Sequence, residues 1–150
     1  VFFAEVRRVL RPGGVHRIVL LDMEAVCTDY LAHLRKCESD PSASQVHDNH
    51  IADVIELMVR KEAFGSSQQR PFRRFVENLL LGDARRRGET CQWMYDRINL
   101  PCLLKEAGFA SASTKSFASS GIAGWSKYSL DQNDKGGEYK PGSLYVEAVK

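Results

Sequence analysis

Apolar residues recur at helical spacing from the first positions onward: Phe2, Phe3, Val6, Val9 and Leu10 share one face, with Glu5, Arg7 and Arg8 turned outward. Pro12 cannot continue that helix, and Gly13-Gly14 supply the left-handed turn that ends it. The next run, Ile18-Val19-Leu20-Leu21, is aliphatic and does not alternate. That pattern predicts a strand from Val15 to Leu21 covered on both faces, as in a parallel sheet. Asp22 stands at its tip. Val26, Tyr30 and Leu34 share a face and predict a helix from Glu24 to Cys37.

Ser39 to Ser44, with Pro41, reads as a polar turn-rich loop. Asp48 or Asn49 can cap a helix carrying Ile51, Val54, Ile55, Met58 and Val59, the cleanest helical stripe in the chain. Pro71 opens another helix with Phe72, Phe75, Val76, Leu79 and Leu80 on its apolar face, and Gly82 ends it. These helices amount to an insertion of about sixty residues, longer than a simple strand-to-helix connection requires.

Asp96 or Asn99 can cap the next helix, with Pro101 in its first turn and Leu100, Leu103, Leu104 and Ala107 on its buried face. Gly108 stops it and Phe109 packs back. Ser111 to Phe117 reads as a strand, Ser119 to Gly142 as a long polar loop, and Leu144 to Val149 as a final strand with Leu144, Val146 and Ala148 on one face. No helix separates the last two strands, so they are expected to be antiparallel neighbours. The fold class is therefore α/β: a largely parallel sheet with one antiparallel strand near its end. The pattern opens in the middle of a βαβ unit, so the chain reads as the second half of a longer fold.

Composition narrows the options without selecting one. The chain has 150 residues, enough for one domain with a core. A net charge of +2 gives no reason to expect nucleic acid or membrane surfaces as partners. No apolar run approaches the ~20 residues needed to span a bilayer, and no secretory leader is visible. The four cysteines, Cys27, Cys37, Cys91 and Cys102, form no Cys-x-x-Cys pair and read as reduced thiols of a cytoplasmic protein.

Three segments together carry a family resemblance. Glu5-Val6-Arg7-Arg8-Val9-Leu10-Arg11-Pro12-Gly13-Gly14, before an apolar strand, resembles the turn before the fifth strand of class I S-adenosylmethionine-dependent methyltransferases. Trp93-Met94-Tyr95-Asp96 with Leu103-Leu104-Lys105-Glu106-Ala107-Gly108-Phe109, and Ser143-Leu144-Tyr145-Val146-Glu147-Ala148, are similar to the close of a bacterial methyltransferase group of type 11 character. The resemblance implies a partial Rossmann-like methyltransferase domain over 1–150. Its strands would be the fifth to seventh, the last antiparallel, and a helical insertion at 24–87 would follow the first of them as an acceptor-side cover. It implies S-adenosylmethionine as the cofactor of the full-length parent and a small molecule or modified polymer as methyl acceptor. The family holds the cofactor on a glycine-rich loop after its first strand. No Gly-x-Gly occurs in this chain, so no cofactor is expected for the chain alone. Removal of four neighbouring strands would leave the edge of the strand Val15 to Leu21 open to self-association.

The candidate chemistry follows from these placements. Asp22 lies where the carboxyl end of a strand meets a loop, the edge at which open α/β sheets bind ligands. It is the catalytic candidate, to orient or deprotonate an acceptor; the competing reading is a helix cap. Tyr30, His47, His50, Trp93 and Tyr95 are the candidates for substrate contact. Trp93 and Tyr95 would wall an acceptor pocket or pack the insertion on the sheet. Trp125 and Tyr128, in the long loop, have no obvious core role. His33, Cys37, His47 and His50 have no second cysteine or acid at tight spacing. Zinc sites take three or four ligands, so no metal is expected and the histidines read as exposed or cap-adjacent. Arg70, Arg73, Arg74, Arg85, Arg86 and Arg87 make either a solvated helix face or a grip for a phosphate or carboxylate. The contrasting function is a non-catalytic α/β interaction module.

Overall fold

The structure, a computed structural model, describes residues 1–59 and 93–150. The expected helix after Pro71 and the arginine-rich stretch from Arg70 to Arg87 lie outside the described residues. The elements run α1 (Phe2–Val9), β1 (Val15–Leu21), α2 (Met23–Ser39), a 3₁₀ helix (Pro41–Val46), α3 (His47–Val59), α4 (Asn99–Glu106), β2 (Ser111–Lys115), a short 3₁₀ turn (Trp125–Lys127) and β3 (Ser143–Val149). They divide into two compact units, Val1–Val26 with Tyr95–Lys150, and Cys27–Met94.

The first unit is built on a three-stranded sheet in the order β1-β3-β2. β3 runs antiparallel to both neighbours, so β1 and β2 point the same way. Val15 pairs with Val149 and Leu21 with Ser143 across β1 and β3; Ser111 pairs with Val149 across β2 and β3. The mixed α/β class and the antiparallel last two strands agree with expectation. β3, however, is central, a position that local patterning does not reveal.

Side chains alternate across the sheet, and its two faces differ. On one, Leu144, Val146 and Ala148 of β3 are buried with Leu100, Leu104 and Phe109 around α4, and Phe3, Val6, Leu10, Ile18 and Leu20 pack against them. Phe2 and Val9 of α1 remain exposed, so the buried stripe of that helix is narrower than its apolar pattern. Pro101 sits in the first turn of α4, and Gly108, at φ 92°, ends it. Asp96 Oδ1 accepts the Ile98 and Asn99 N–H groups at 2.7 and 2.8 Å, while Asn99 Oδ1 accepts the Asp96 N–H at 2.9 Å. The two polar residues expected to compete as caps act together.

The Pro12-Gly13-Gly14 turn is fastened to the end of β3. Gly13 N–H donates to the Lys150 carbonyl and Lys150 N–H to the Gly14 carbonyl, each at 3.0 Å. Gly13 has φ 74°, which glycine tolerates without steric cost. At Gly14 a Cβ would stand 2.8 Å from the Arg11 carbonyl oxygen. The first glycine is needed for its dihedral and the second for its closeness.

Three local expectations are corrected. The segment expected as a loop from Ser39 to Ser44 is largely the 3₁₀ helix, started by Asp40, whose Oδ1 accepts the Ser42 N–H at 3.0 Å. That helix runs directly into α3, so α3 begins at His47 rather than after a cap at Asp48 or Asn49. Coverage of β1 is also less complete than expected: Ile18 and Leu20 join the core, while Val19, on the other face, is 42% exposed.

Candidate functional site

The face of the sheet opposite α1 and α4 carries Arg17, Val19, Tyr145 and Glu147, with Arg17 directly across from Glu147 and Val19 from Tyr145. Arg17 is 4% exposed and gathers the long loop onto the sheet. Its Nε donates to Asp131 Oδ2 at 2.7 Å, and its Nη1 to Glu147 Oε1 at 2.8 Å and the Ser119 carbonyl at 2.9 Å. Nη2 donates to the Ser116 carbonyl at 2.9 Å. The guanidinium lies 4.8 Å from the Trp125 ring centre and 5.3 Å from that of Tyr145, within cation–π range. Trp125 Nε1–H adds a bond to Asp131 Oδ2 at 3.2 Å. Glu147 also accepts from the Ser120 hydroxyl and, at 2.7 Å, from the Gly121 N–H. Burial alone would raise its carboxyl pKa; the donations from Ser120, Gly121 and Arg17 outweigh burial and hold it below the usual value. Trp125, which had no evident core role in sequence, is a clamp on this ion cluster.

Beside the cluster a groove of about 490 Å³ opens at the carboxyl end of β1. Val19, Leu21, Leu130, Tyr139, Lys140 and Tyr145 line it. The Tyr145 phenol is pushed up to about 12 by burial, with a hydrogen bond to Glu138 and the charge of Asp131 adding to the effect. It therefore stays protonated through the neutral range and can donate a hydrogen bond.

Asp22 follows directly on β1. Its N–H donates to the Gly142 carbonyl at 3.1 Å, and its Oδ1 accepts the Glu24 N–H at 3.0 Å. Its carbonyl accepts the Val26 N–H at 3.1 Å. The side chain caps α2, the plainer of its two expected roles; among the described residues nothing donates to Oδ2. Tyr95 is beside it: the two form a parallel bridge, the Met23 N–H reaching the Tyr95 carbonyl at 3.0 Å. The Tyr95 ring packs on the apolar core, while Trp93 is 68% exposed and belongs to the other unit. The aromatic pair expected to act together is divided.

In the helical unit, Tyr30 lines a small apolar cavity of about 210 Å³ with Cys27, Ile51, Val54 and Ile55. His47 lies 5.7 Å from the Tyr30 ring and 5.4 Å from the His33 ring; His50 stacks on His33 at 3.9 Å. Cys37 Sγ is 3.4 Å from His33 Nε2. The structure thus assembles the four residues that sequence spacing left as separate, cap-adjacent side chains. The signal that could have found them is the pair of same-face spacings, His33-x-x-x-Cys37 on α2 and His47-x-x-His50 on α3, separated by one short turn. The pKa of His33 is lowered, by burial first and then by His50, His47 and Lys36.

Among the described residues the positive-φ glycines lie in turns: Gly13 before β1, Gly108 after α4, Gly124 and Gly136 within the long loop, Gly142 before β3. β1 passes through Asp22 into α2 without a glycine. No family model, curated protein or solved structure matches this chain.

Proposed function

We propose that the chain forms the fifth, sixth and seventh strands of a class I S-adenosylmethionine-dependent methyltransferase sheet, and contributes the methyl-acceptor side of the site. The observation that carries this reading is the direction of the strands. β1 and β2 are parallel to each other and β3 runs against both, as the resemblance implies for a last, antiparallel strand in an otherwise parallel sheet. Two features support it further. Asp22 and the groove sit at the carboxyl end of β1, where such sheets hold ligands. Among the described residues the outer edge of β1 is unpaired, leaving room for the sheet to continue or for two copies to associate. The acceptor is a small molecule or a modified polymer. Asp22 orients it or takes its proton while continuing to cap α2. Methyl transfer is mostly a matter of positioning, so a rigid strand end is a suitable place for such a group.

Asp22→Asn is a clean test in the methyltransferase that contains this chain, because asparagine caps a helix as well as aspartate does. Turnover falls by at least about 100-fold if Asp22 acts as a base; unchanged turnover removes that role. The isolated chain gives no saturable calorimetric signal with S-adenosylhomocysteine, and saturable binding would overturn the assignment of the cofactor loop to another part of the protein. The contrasting reading, a non-catalytic interaction module, draws on the engaged Asp22 carboxylate and the lack of any Gly-x-Gly. It predicts a coding sequence with no glycine-rich loop upstream of Val1.

A further inference from the structure

Four potential ligands converge in the helical unit. His33 and Cys37 are one turn apart on α2, and His47 and His50 nearly one turn apart on α3. One donor atom each from His33, Cys37 and His47 lies within 4.8 Å of the others, and all three residues are half-buried. The Cys37 Sγ to His33 Nε2 distance is 3.4 Å. Two ligands of a tetrahedral zinc ion, one sulfur at ~2.3 Å and one nitrogen at ~2.05 Å, stand about 3.5 Å apart. The pair is already at the edge length of that polyhedron.

Three other features fit a cation. His33 hydrogen-bonds the Ala43 carbonyl, the contact by which a metal-bound imidazole fixes its tautomer and ring orientation. His47 Nδ1 is buried and has no hydrogen-bond partner among the described residues, an expense that a ligand would relieve. The segment that carries the four side chains is itself acidic: residues 27–59 contain six acidic and two basic side chains, a net of −4. Mixed imidazole and thiolate donors select a borderline-soft ion and disfavour magnesium or calcium, which take oxygen.

We propose that His33, Cys37 and His47 bind one zinc ion, with His50 supplying the fourth donor by a side-chain rotation from its stack on His33. With four protein ligands the site is closed and structural. It joins α2 to α3 across the 3₁₀ helix and requires no acceptor or methyl donor. His47 and His50 are thereby assigned to the ion rather than to a substrate.

The test is competition of the full chain with a chromophoric chelator for zinc, together with the absorption spectrum of the cobalt(II) form. One equivalent of zinc should bind with a Kd below about 1 µM, and the cobalt form should show thiolate-to-metal charge transfer. Cys37→Ser should remove that band and, like His47→Ala, weaken binding by at least about 100-fold. Cys102→Ser, at an exposed cysteine, should change neither. Because a variant can fail by misfolding, each is checked for its helical circular dichroism. A zinc Kd weaker than about 10 µM for the unaltered chain, or a charge-transfer band that survives in Cys37→Ser, would overturn the proposal. Unchanged affinity in His50→Ala would overturn the assignment of the fourth ligand.

Discussion

In the sheet unit Leu100, Leu104 and Val146 have no measurable exposure, whereas in the described part of the helical unit Ala43 and Met94 are the buried apolar residues and α2 buries none of its 17. The sheet unit also buries an ion cluster, Arg17 with Asp131 and Glu147, each residue under a tenth exposed. Its stability has two ordinary sources: apolar area removed from water on one face, and a hydrogen-bonded charge network on the other. The helical unit has little of either among its described residues. In that described part the side chains that converge, His33, Cys37 and His47, are ones able to hold an ion. The difference shows that an amphipathic pattern locates helices without saying what holds them.

The largest expected effect comes from breaking the ion cluster. Arg17→Ala leaves Asp131 and Glu147 buried without their cation and should cost about 3–5 kcal/mol in denaturant unfolding of the sheet unit. It should also release the Trp125 segment, visible as a red shift of tryptophan emission. A cost below about 1 kcal/mol would mean that water replaces the guanidinium and that the cluster is not a structural element.

Metal removal should act on the other region. With free zinc at about 100 times its Kd, binding adds about 2.7 kcal/mol of stability. Chelation should therefore raise amide exchange in α2 and α3 and leave β1, β2 and β3 unchanged. Equal acceleration in both units, or none in either, would erase the contrast between them.

The smallest effect is a pH dependence in the sheet unit. His16 lies between Phe3 and Phe109, with ring centres 6.3 Å away on each side. Its Nε2 is buried and has no hydrogen-bond partner among the described residues, and burial lowers its pKa below the ordinary 6.5. Above that ordinary value both folded and unfolded chains hold a neutral ring, and nothing is lost. As pH falls through it, the unfolded chain takes up a proton that the folded one resists, so stability declines until the lowered native value is passed. Replacing the ring with an aliphatic side chain, His16→Leu, should flatten the melting temperature of the sheet unit across this range. An unaltered slope would place the titration elsewhere.

Much of the sheet unit was legible from local pattern. The ends of α1 and α4 follow from Pro12, Gly13 and Gly108, and the buried face of β3 from the alternation of Leu144, Val146 and Ala148. Those signals act over a few residues, through fixed dihedrals and the period of the backbone. The candidate sites were less legible. Asp22 stands at a strand end, as its sequence position implies, yet its bond to the Glu24 N–H depends on the folded turn. Trp93 and Tyr95, two residues apart in sequence, fall in separate units, the first exposed and the second partly buried against the core.

The sequence by itself determined where most helices and strands begin and end, and which residues each element has available to bury. Tertiary structure decided partners. It set β3 between β1 and β2, brought Arg17 to Glu147 across 130 positions, and collected His33, Cys37 and His47 around one point, with His50 stacked beside them. Pairings of that kind depend on register and chain path. A charged side chain in a strand, or a histidine on a helix, looks the same in sequence whether it meets water, an opposite charge or a metal ion.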